Sequence, residues 1–200
     1  DRTAEFQDTN RRLNIEIEYS KLIKAIAVAS NETRAIDETL HFCIRHVCEF
    51  AGWPLGHLYL TAENPAKGLF PTKVWHVEKP GQFDTFQKIT RETPLEEGIG
   101  LPGRVLISGE PTWIIDVTKD SNFPRAKLAE NIGVKAGFAF PILIGEKVMG
   151  VMEFFSPKAV KPDPEMLDIM AQIGTQLGRV LERKLAQDES ERSQDQLRSL

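Results

Sequence analysis

Any chemistry in this 200-residue chain has to come from a few polar or aromatic side chains set among apolar runs. His57 and Tyr59 alternate with Leu58 and Leu60, which puts the histidine and tyrosine on one side of a strand and the leucines on the other. Trp75 and His76 lie in the next apolar run. Such residues can line a ligand cavity or bind a haem iron, although a satisfied histidine beside a sheet is the commoner use. A neutral imidazole near its ordinary pKa of ~6.5 can also switch with pH. Glu153 stands inside Val151-Met152-Glu153-Phe154-Phe155. A lone buried carboxylate is costly, so it must be paired, solvated or placed at a pocket mouth. Arg104 follows Gly103, and its guanidinium can clamp a carboxylate or phosphate, or form a structural salt bridge or a tie to a loop carbonyl. Trp113, Phe138 and Phe140 are candidate ligand walls, with plain core as their bland use.

These residues need a scaffold, and apolar spacing outlines one. Leu13, Ile17, Leu22, Ile23 and Ile26 fall at helical spacing, and Ile15, Tyr19, Leu22, Ile26 and Ala29 run in alternating steps of four and three. That heptad seam suits a dimer, and a helix buried against its own domain gives a similar pattern. Ser30-Asn31-Glu32-Thr33 interrupts it and can cap a second helix, whose buried stripe is Ile36, Leu40, Ile44 and Val47 and whose end is near Ala51-Gly52. Strands are expected over 56–61 and 72–77, with a loop over 62–68, a helical turn or two over 83–89 and a loop over 94–98. Pro102 and Gly109 suit the start and stop of a short helix over 101–108. A third strand follows over 112–116, then Asp120-Ser121-Asn122-Phe123-Pro124 as a capped turn into a helix ending near Gly133. Strands over 137–143 and 148–155 make a hairpin around Gly145. The last helix starts after Pro162-Asp163-Pro164 with Met166, Met170, Ile173, Leu177 and Val180 on one face, while Leu181 and Leu185 open a second. Beyond Leu185 the chain is nearly all polar, so it frays or pairs with a partner. Helices at both ends around an antiparallel sheet make an α+β domain.

Composition narrows the partners. The chain is 41% hydrophobic, enough to bury a core, and its net charge of −4 offers no basic face to nucleic acid. An acidic metabolite is still possible through local basic residues. A basic-then-apolar leader is missing, as is any apolar run near the ~20 residues a membrane helix needs. The expected location is therefore cytoplasmic, without membrane insertion. Cys43 and Cys48, the only cysteines, are five apart in one predicted helix, about 500° around it. They read as buried thiols and not as a disulfide framework, and His46 alone beside them does not make a metal site. Hydrolase, metalloprotease and phosphate-loop signatures are all missing, as are a histidine-kinase phosphoacceptor box and an ATP-binding motif.

Four ordered motifs carry a family resemblance. They are Trp75-His76; Gly98-Ile99-Gly100-Leu101-Pro102-Gly103-Arg104-Val105 with Ser108-Gly109-Glu110-Pro111 and Trp113-Ile114; Asp116-Val117 with Asp120 and Asn122-Phe123-Pro124-Arg125-Ala126; and Gly137-Phe138-Ala139-Phe140-Pro141 with Gly150-Val151-Met152-Glu153-Phe154-Phe155-Ser156. Together they resemble the GAF domain, the small-molecule-sensing module common in bacterial signalling proteins, over about residues 31–186. The resemblance implies a central antiparallel sheet with the terminal helices on one face and short helices and loops closing a pocket over the other. It is nearest to modules of multidomain bacterial sensor histidine kinases and some cyclic-di-GMP enzymes, which sit in tandem with PAS domains. It therefore implies a homodimer through the terminal helices and a covalently linked output domain. The expected organisation is a signalling and dimerisation helix over 1–30, the GAF domain over 31–186 and a linker helix over 187–200. The chain begins in mid-helix without a methionine, so it reads as part of something longer.

Departures from the family narrow the chemistry. Phytochrome-like members attach a bilin through a cysteine, usually followed by histidine. Phe123-Pro124-Arg125-Ala126-Lys127-Leu128-Ala129 has none, so no covalent bilin and no resident cofactor are expected. Cyclic-nucleotide binders carry an Asn-Lys-Phe-Asp-Glu set where this chain has Phe155-Ser156-Pro157-Lys158-Ala159. Methionine sulfoxide reductases of this fold need reactive cysteines in the pocket loops, and Cys43 and Cys48 are in the wrong element. The expectation is a non-catalytic sensory domain relaying an unidentified ligand through its end helices. A ligand-free dimerisation or spacer module and a redox enzyme are the alternatives.

Overall fold

The computed structural model describes residues 2–31, 36–61, 68–128 and 131–198. In chain order the elements are α1 (Arg2–Asn31), α2 (Ile36–Ala51), β1 (Leu55–Thr61), β2 (Leu69–Val77), α3 (Asp84–Arg91), α4 (Gly100–Ser108), β3 (Thr112–Ile114), α5 (Pro124–Lys127), β4 (Ala136–Ile144), β5 (Lys147–Ser156) and α6 (Pro164–Arg198). The strands form one antiparallel sheet in the order β2-β1-β5-β4-β3. This is the α+β architecture that the sequence implied.

The sheet has two covered faces, set by the two-residue period of its strands. On one face, Leu58, Val74, Phe138, Phe140, Met152 and Phe154 pack under α2 and α6, with α1 laid against those helices. Phe138 and Phe154 stack at 4.9 Å between centroids, and Trp53 and Trp113 add edge and stacked contacts to Phe138. On the other face, Tyr59, Ala139, Val151 and Phe155 pack under Phe86 of α3, Leu101 and Val105 of α4, and Phe123 just before α5.

Local chemistry explains the element ends. Asp37 and Glu38 lie in the first turn of α2, where the helix dipole favours anions, and Gly52 follows it at φ 69°. Asp163 caps α6, its Oδ1 accepting the Met166 N–H at 3.1 Å, with Pro164 in the first helical position. Gly174 and Gly178 lie one turn apart on α6 because it runs directly over β4: a Cβ on either would collide with the carbonyl oxygen of Pro141 or Leu143.

Four expectations change. Ile15, Tyr19, Leu22, Ile26 and Ala29 do not form an intermolecular seam: Leu22, Ile26 and Ala29 are buried, and Ile15 and Tyr19 pack on the chain's own core. A helix docked on its own domain and a coiled coil want the same spacing, and here the domain takes the stripe. A second apolar set on α1, Phe6, Leu13, Ile17 and Val28, is exposed, Phe6 to 67%. The helix expected to end near Gly133 is a four-residue turn. The third strand stops at Ile114, because Asp116 turns the chain by accepting from the Thr118 N–H and hydroxyl. Finally, α1 continues through Asn31, whereas the rest of the expected capping segment (32–35) and the loop positions 62–67 lie outside the described residues.

α1 and α6 run parallel. Phe6 and Asn10 share a groove with Asp163 and Met166, the Tyr19 hydroxyl donates to Gln172 Oε1 at 2.7 Å, and Ile23 and Ala27 lie beside Gln176 and Arg183. Among the described residues no helix is long and apolar enough to cross a membrane.

Candidate functional site

The face of the sheet away from the long helices carries a row of chemistry. In register across three adjacent strands stand Trp75 of β2, His57 of β1 and Glu153 of β5. β5 is paired on both sides, by β1 and β4, so the Glu153 carboxylate is fixed in the middle of the sheet. Into this row, from α5, comes Arg125. Its Nη1 and Nη2 donate to Glu153 Oε1 and Oε2, both at 2.7 Å, a bidentate pair with the guanidinium 1% and the carboxylate 0% exposed. Nη1 also donates to the Thr90 hydroxyl at 3.2 Å. Four rings surround the Arg125 Cζ: Phe86 and Phe123 at 4.8 Å, Phe155 at 5.3 Å and Tyr59 at 5.9 Å from their centroids. An arginine suits this cage because its planar, weakly hydrated head can stack on rings and pair with a carboxylate at once.

The protonation states follow from the surroundings. Burial pushes the Glu153 carboxyl up, but the Arg125 charge and the hydrogen bonds from Arg125 and His57 outweigh it and hold it below the ordinary carboxylate range. Arg125 stays a cation for the reciprocal reason: burial opposes its charge and Glu153 restores it. His57 Nδ1 lies 3.1 Å from Glu153 Oε1 and Nε2 lies 3.3 Å from the Thr72 carbonyl oxygen. Burial, which penalises the charged ring, lowers its pKa against the pull of Glu153, and the Arg125 charge adds to the lowering. The neutral ring donates from Nδ1 to Glu153, and only the protonated ring can also donate to Thr72. Burial also raises the Tyr59 phenol, which keeps its proton and donates to the Thr93 carbonyl at 3.3 Å. Trp75 stacks on His57 at 3.9 Å, and its buried Nε1–H has no hydrogen-bond partner.

The glycine-rich segment supports this cluster from the side, with Leu101 in the same apolar core as its rings. Gly98 and Gly100 have φ of 75° and 69°, values that favour glycine, and a Cβ on Gly103 would lie 2.5 Å from the Glu96 carbonyl oxygen. The tight turn sets Arg104 against Asp120, with bidentate bonds of 2.9 and 2.6 Å. The Asn122 side chain accepts from the Gly100 N–H at 3.0 Å and donates to the Gly98 carbonyl at 2.8 Å. The hydrogen bonds from Arg104 and the Asn122 N–H hold the Asp120 carboxyl below its ordinary range. Segment 98–104 is therefore a clamp on segment 120–122, and that clamp delivers Arg125 to Glu153 a few residues later.

The structure sorts the candidate residues into groups. His57, Tyr59, Trp75 and Glu153 come together. Arg104 lies in the clamp, as a salt bridge. Trp113, Phe138 and Phe140 lie on the opposite face under the long helices, so they cannot wall the same cavity; register pairs Phe138 with Phe154 and Ala139 with Glu153. His76 is half-buried, with its pKa lowered by burial. Arg125 and Thr90 are the members that sequence reasoning missed. The signal for Arg125 was the unpaired Glu153, which demanded a cation from somewhere in the chain. Cys43 and Cys48 are buried on α2 in the other core, their thiols pushed up by burial, Cys43 to about 12. Among the described residues, no three His, Cys, Asp or Glu side chains gather as a metal site.

Comparison with known proteins identifies the fold. The family model of the GAF domain matches residues 33–182. Similar solved structures include the GAF domain of a phosphoenolpyruvate-protein phosphotransferase from Coxiella burnetii (14% identity, 86% of this chain and 98% of that one, TM-score 0.68). The A. aeolicus nlh2 GAF domain in an inactive state is also similar (17%, 85% and 99%, 0.62). A third is free methionine-R-sulfoxide reductase from Neisseria meningitidis in complex with its substrate (15%, 82% and 88%, 0.62). At these identities the likeness is one of fold. No curated protein matches the chain.

Proposed function

The chain belongs to the GAF domain family, and from that premise we propose that it is a non-catalytic sensory domain of a bacterial signal-transduction protein, with a histidine kinase as the favoured output. A small molecule or partner acts on the face that holds Arg125 and Glu153, and the terminal helices on the opposite face relay the change in a cytoplasmic homodimer. The observation that carries this reading is the division of the sheet. One face buries a charged, aromatic cluster whose arginine comes from a single helical turn, and the other carries α6 on β4 and α2 on β1 and β2, with α1 packed against those two helices. Relay requires only that a ligand bind one arrangement of those helices better than another. The organisation proposed is a signalling helix over 1–30, the sensory domain over 31–186 and a linker helix over 187–200.

The dimer seam assigned to the heptad residues passes to the exposed stripe of α1, Phe6, Leu13 and Ile17. Light scattering tests this: the chain runs as a dimer, and Leu13→Glu with Ile17→Glu makes it a folded monomer. A monomeric parent chain counts against the relay. Native mass spectrometry of protein from its own host tests the sensing, where a stoichiometric bound molecule supports it.

One observation favours a second reading. Arg125 itself fills the cage and satisfies Glu153, as expected of a spacer module that has closed its pocket. A clean apo mass from the host supports that alternative. Redox catalysis has less support: the chain has only two cysteines, and both lie buried on the helix side with raised thiol pKa values, where thiolate chemistry is suppressed.

A further inference from the structure

We propose that Glu153 and the rings around it form a recognition site for a small organic cation, a guanidinium or ammonium compound, and that Arg125 occupies it as a tethered internal ligand which such a compound displaces. This rests on the sensory reading above and supplies the ligand class that it lacks.

Which partner of the ion pair can leave decides the class. Glu153 is on the central strand, hydrogen-bonded to β1 on one side and β4 on the other, and cannot move without opening the sheet. Tyr59 and Phe155 are on those same strands, and Phe86 is on α3. Arg125 is on a single four-residue turn without a side-chain cap. Only Phe123 among the four rings belongs to its segment. Lifting α5 therefore removes the cation and leaves a buried carboxylate with three of its rings, which is the donor set for a cation and the wrong one for an anion. An incoming cation takes the place of Arg125 on Glu153, so the buried carboxylate ends the exchange paired. The clamp of Gly98, Gly100 and Arg104 on segment 120–122 sets how readily the exchange occurs.

The tether makes Arg125 a competitor at an effective concentration on the order of millimolar, and the added cation binds only the fraction of molecules with α5 lifted. Deleting the Arg125 side chain therefore raises affinity at least ~10-fold. The three tryptophans give a built-in readout: Trp75 stacks on His57 beside Glu153, while Trp53 and Trp113 report the opposite face.

The test is a titration of the 200-residue chain with ethylguanidinium at millimolar concentration, following the indole N–H resonances by NMR, with neutral ethylurea as the shape control. The proposal expects saturable movement of the Trp75 signal with ethylguanidinium and none with ethylurea, loss of the effect in Glu153→Gln, and binding at least tenfold tighter in Arg125→Ala. A wild-type Trp75 signal that stays still overturns the proposal even if Arg125→Ala binds the cation, because the ion pair is then a permanent fixture. Equal response to ethylurea overturns it as well. If Arg125→Ala fails to fold, Arg125→Lys replaces it, and the wild-type titration decides alone. A chain that ignores ethylguanidinium yet carries an anionic or neutral molecule from its host loses only this inference and keeps its sensory role.

Discussion

Replacing Glu153 by glutamine is the sharpest single perturbation of the buried cluster. The side chain keeps its shape and loses its charge, and Arg125, 1% exposed, keeps its own charge with no counter-ion. Its amide oxygen can accept one of the two guanidinium bonds now made at 2.7 Å, so the main loss is electrostatic. Removing one member of a fully buried pair costs about 3–5 kcal/mol, because the survivor stays desolvated. For a domain of this size each kcal/mol moves the melting temperature by roughly 2–4 °C, so the variant melts about 6–20 °C below the parent. Urea unfolding of the parent, Glu153→Leu, Arg125→Met and the double variant Glu153→Leu/Arg125→Met gives a closed cycle beside Glu153→Gln. The double variant replaces the pair by apolar groups and recovers most of the loss, since such swaps are often neutral or stabilising by about 1–4 kcal/mol. A loss below ~1 kcal/mol in Glu153→Gln, the size expected of an exposed pair, would refute the reasoning: water would then reach the pair in solution.

Other outcomes follow from the same geometry. Stability falls on acidification. His57 has a folded pKa below its unfolded value, so the unfolded chain takes up the proton first, and stability drops as pH falls from ~6.5 toward the folded pKa, by at most about 1.4 kcal/mol per pH unit for one proton. His76 adds in the same direction, so His57→Gln flattens that slope only in part, as urea titrations between pH 5 and 7 would reveal. Glu153, depressed below its unfolded value, contributes stability that is present above pH ~4.3 and is lost below it as pH falls through its folded pKa. Gly178→Ala forces α6 off the Leu143 carbonyl and costs at least the ~1–3 kcal/mol of an overpacked core; an unchanged melting temperature would show that α6 is not seated on β4. Asp120→Ala releases Arg104, which is partly exposed, so global stability changes by under about 1 kcal/mol while amide exchange in segment 120–128 speeds up.

Parts of this molecule were legible in the sequence because local chemistry dictates them. Pro102 and Gly109 bracket α4, Asp163-Pro164 opens α6, and Gly145, at φ 62°, turns the β4–β5 hairpin. His57 and Tyr59 were placed on one side of β1, and Leu58 and Leu60 on the other, by strand alternation alone. What escaped depends on pairing between distant segments. Which strand faces share a cavity is set by register, and it puts Phe138 opposite Phe154 and leaves Glu153 on the other side. Arg125 sits in a run that reads as a capped turn into a helix, and the carboxylate that pairs with it is 28 positions away. The stripe on α1 was visible, but spacing alone cannot say whether a second copy or the chain's own core covers it, and Leu22 and Ile26 are part of the core.

The central claim is that the state of the Arg125–Glu153 face reaches the end of α6. Ser190 is exposed on α6, and the buried Cys43 and Cys48 leave a Ser190→Cys substitution as the accessible thiol for a spin label. Electron–electron distance measurement across the dimer, with Arg125→Met in a Glu153→Leu background against the parent pair, reads the coupling directly. The account predicts a shifted Ser190–Ser190 distance distribution in a dimer of unchanged mass. Superimposable distributions in an intact dimer would contradict it.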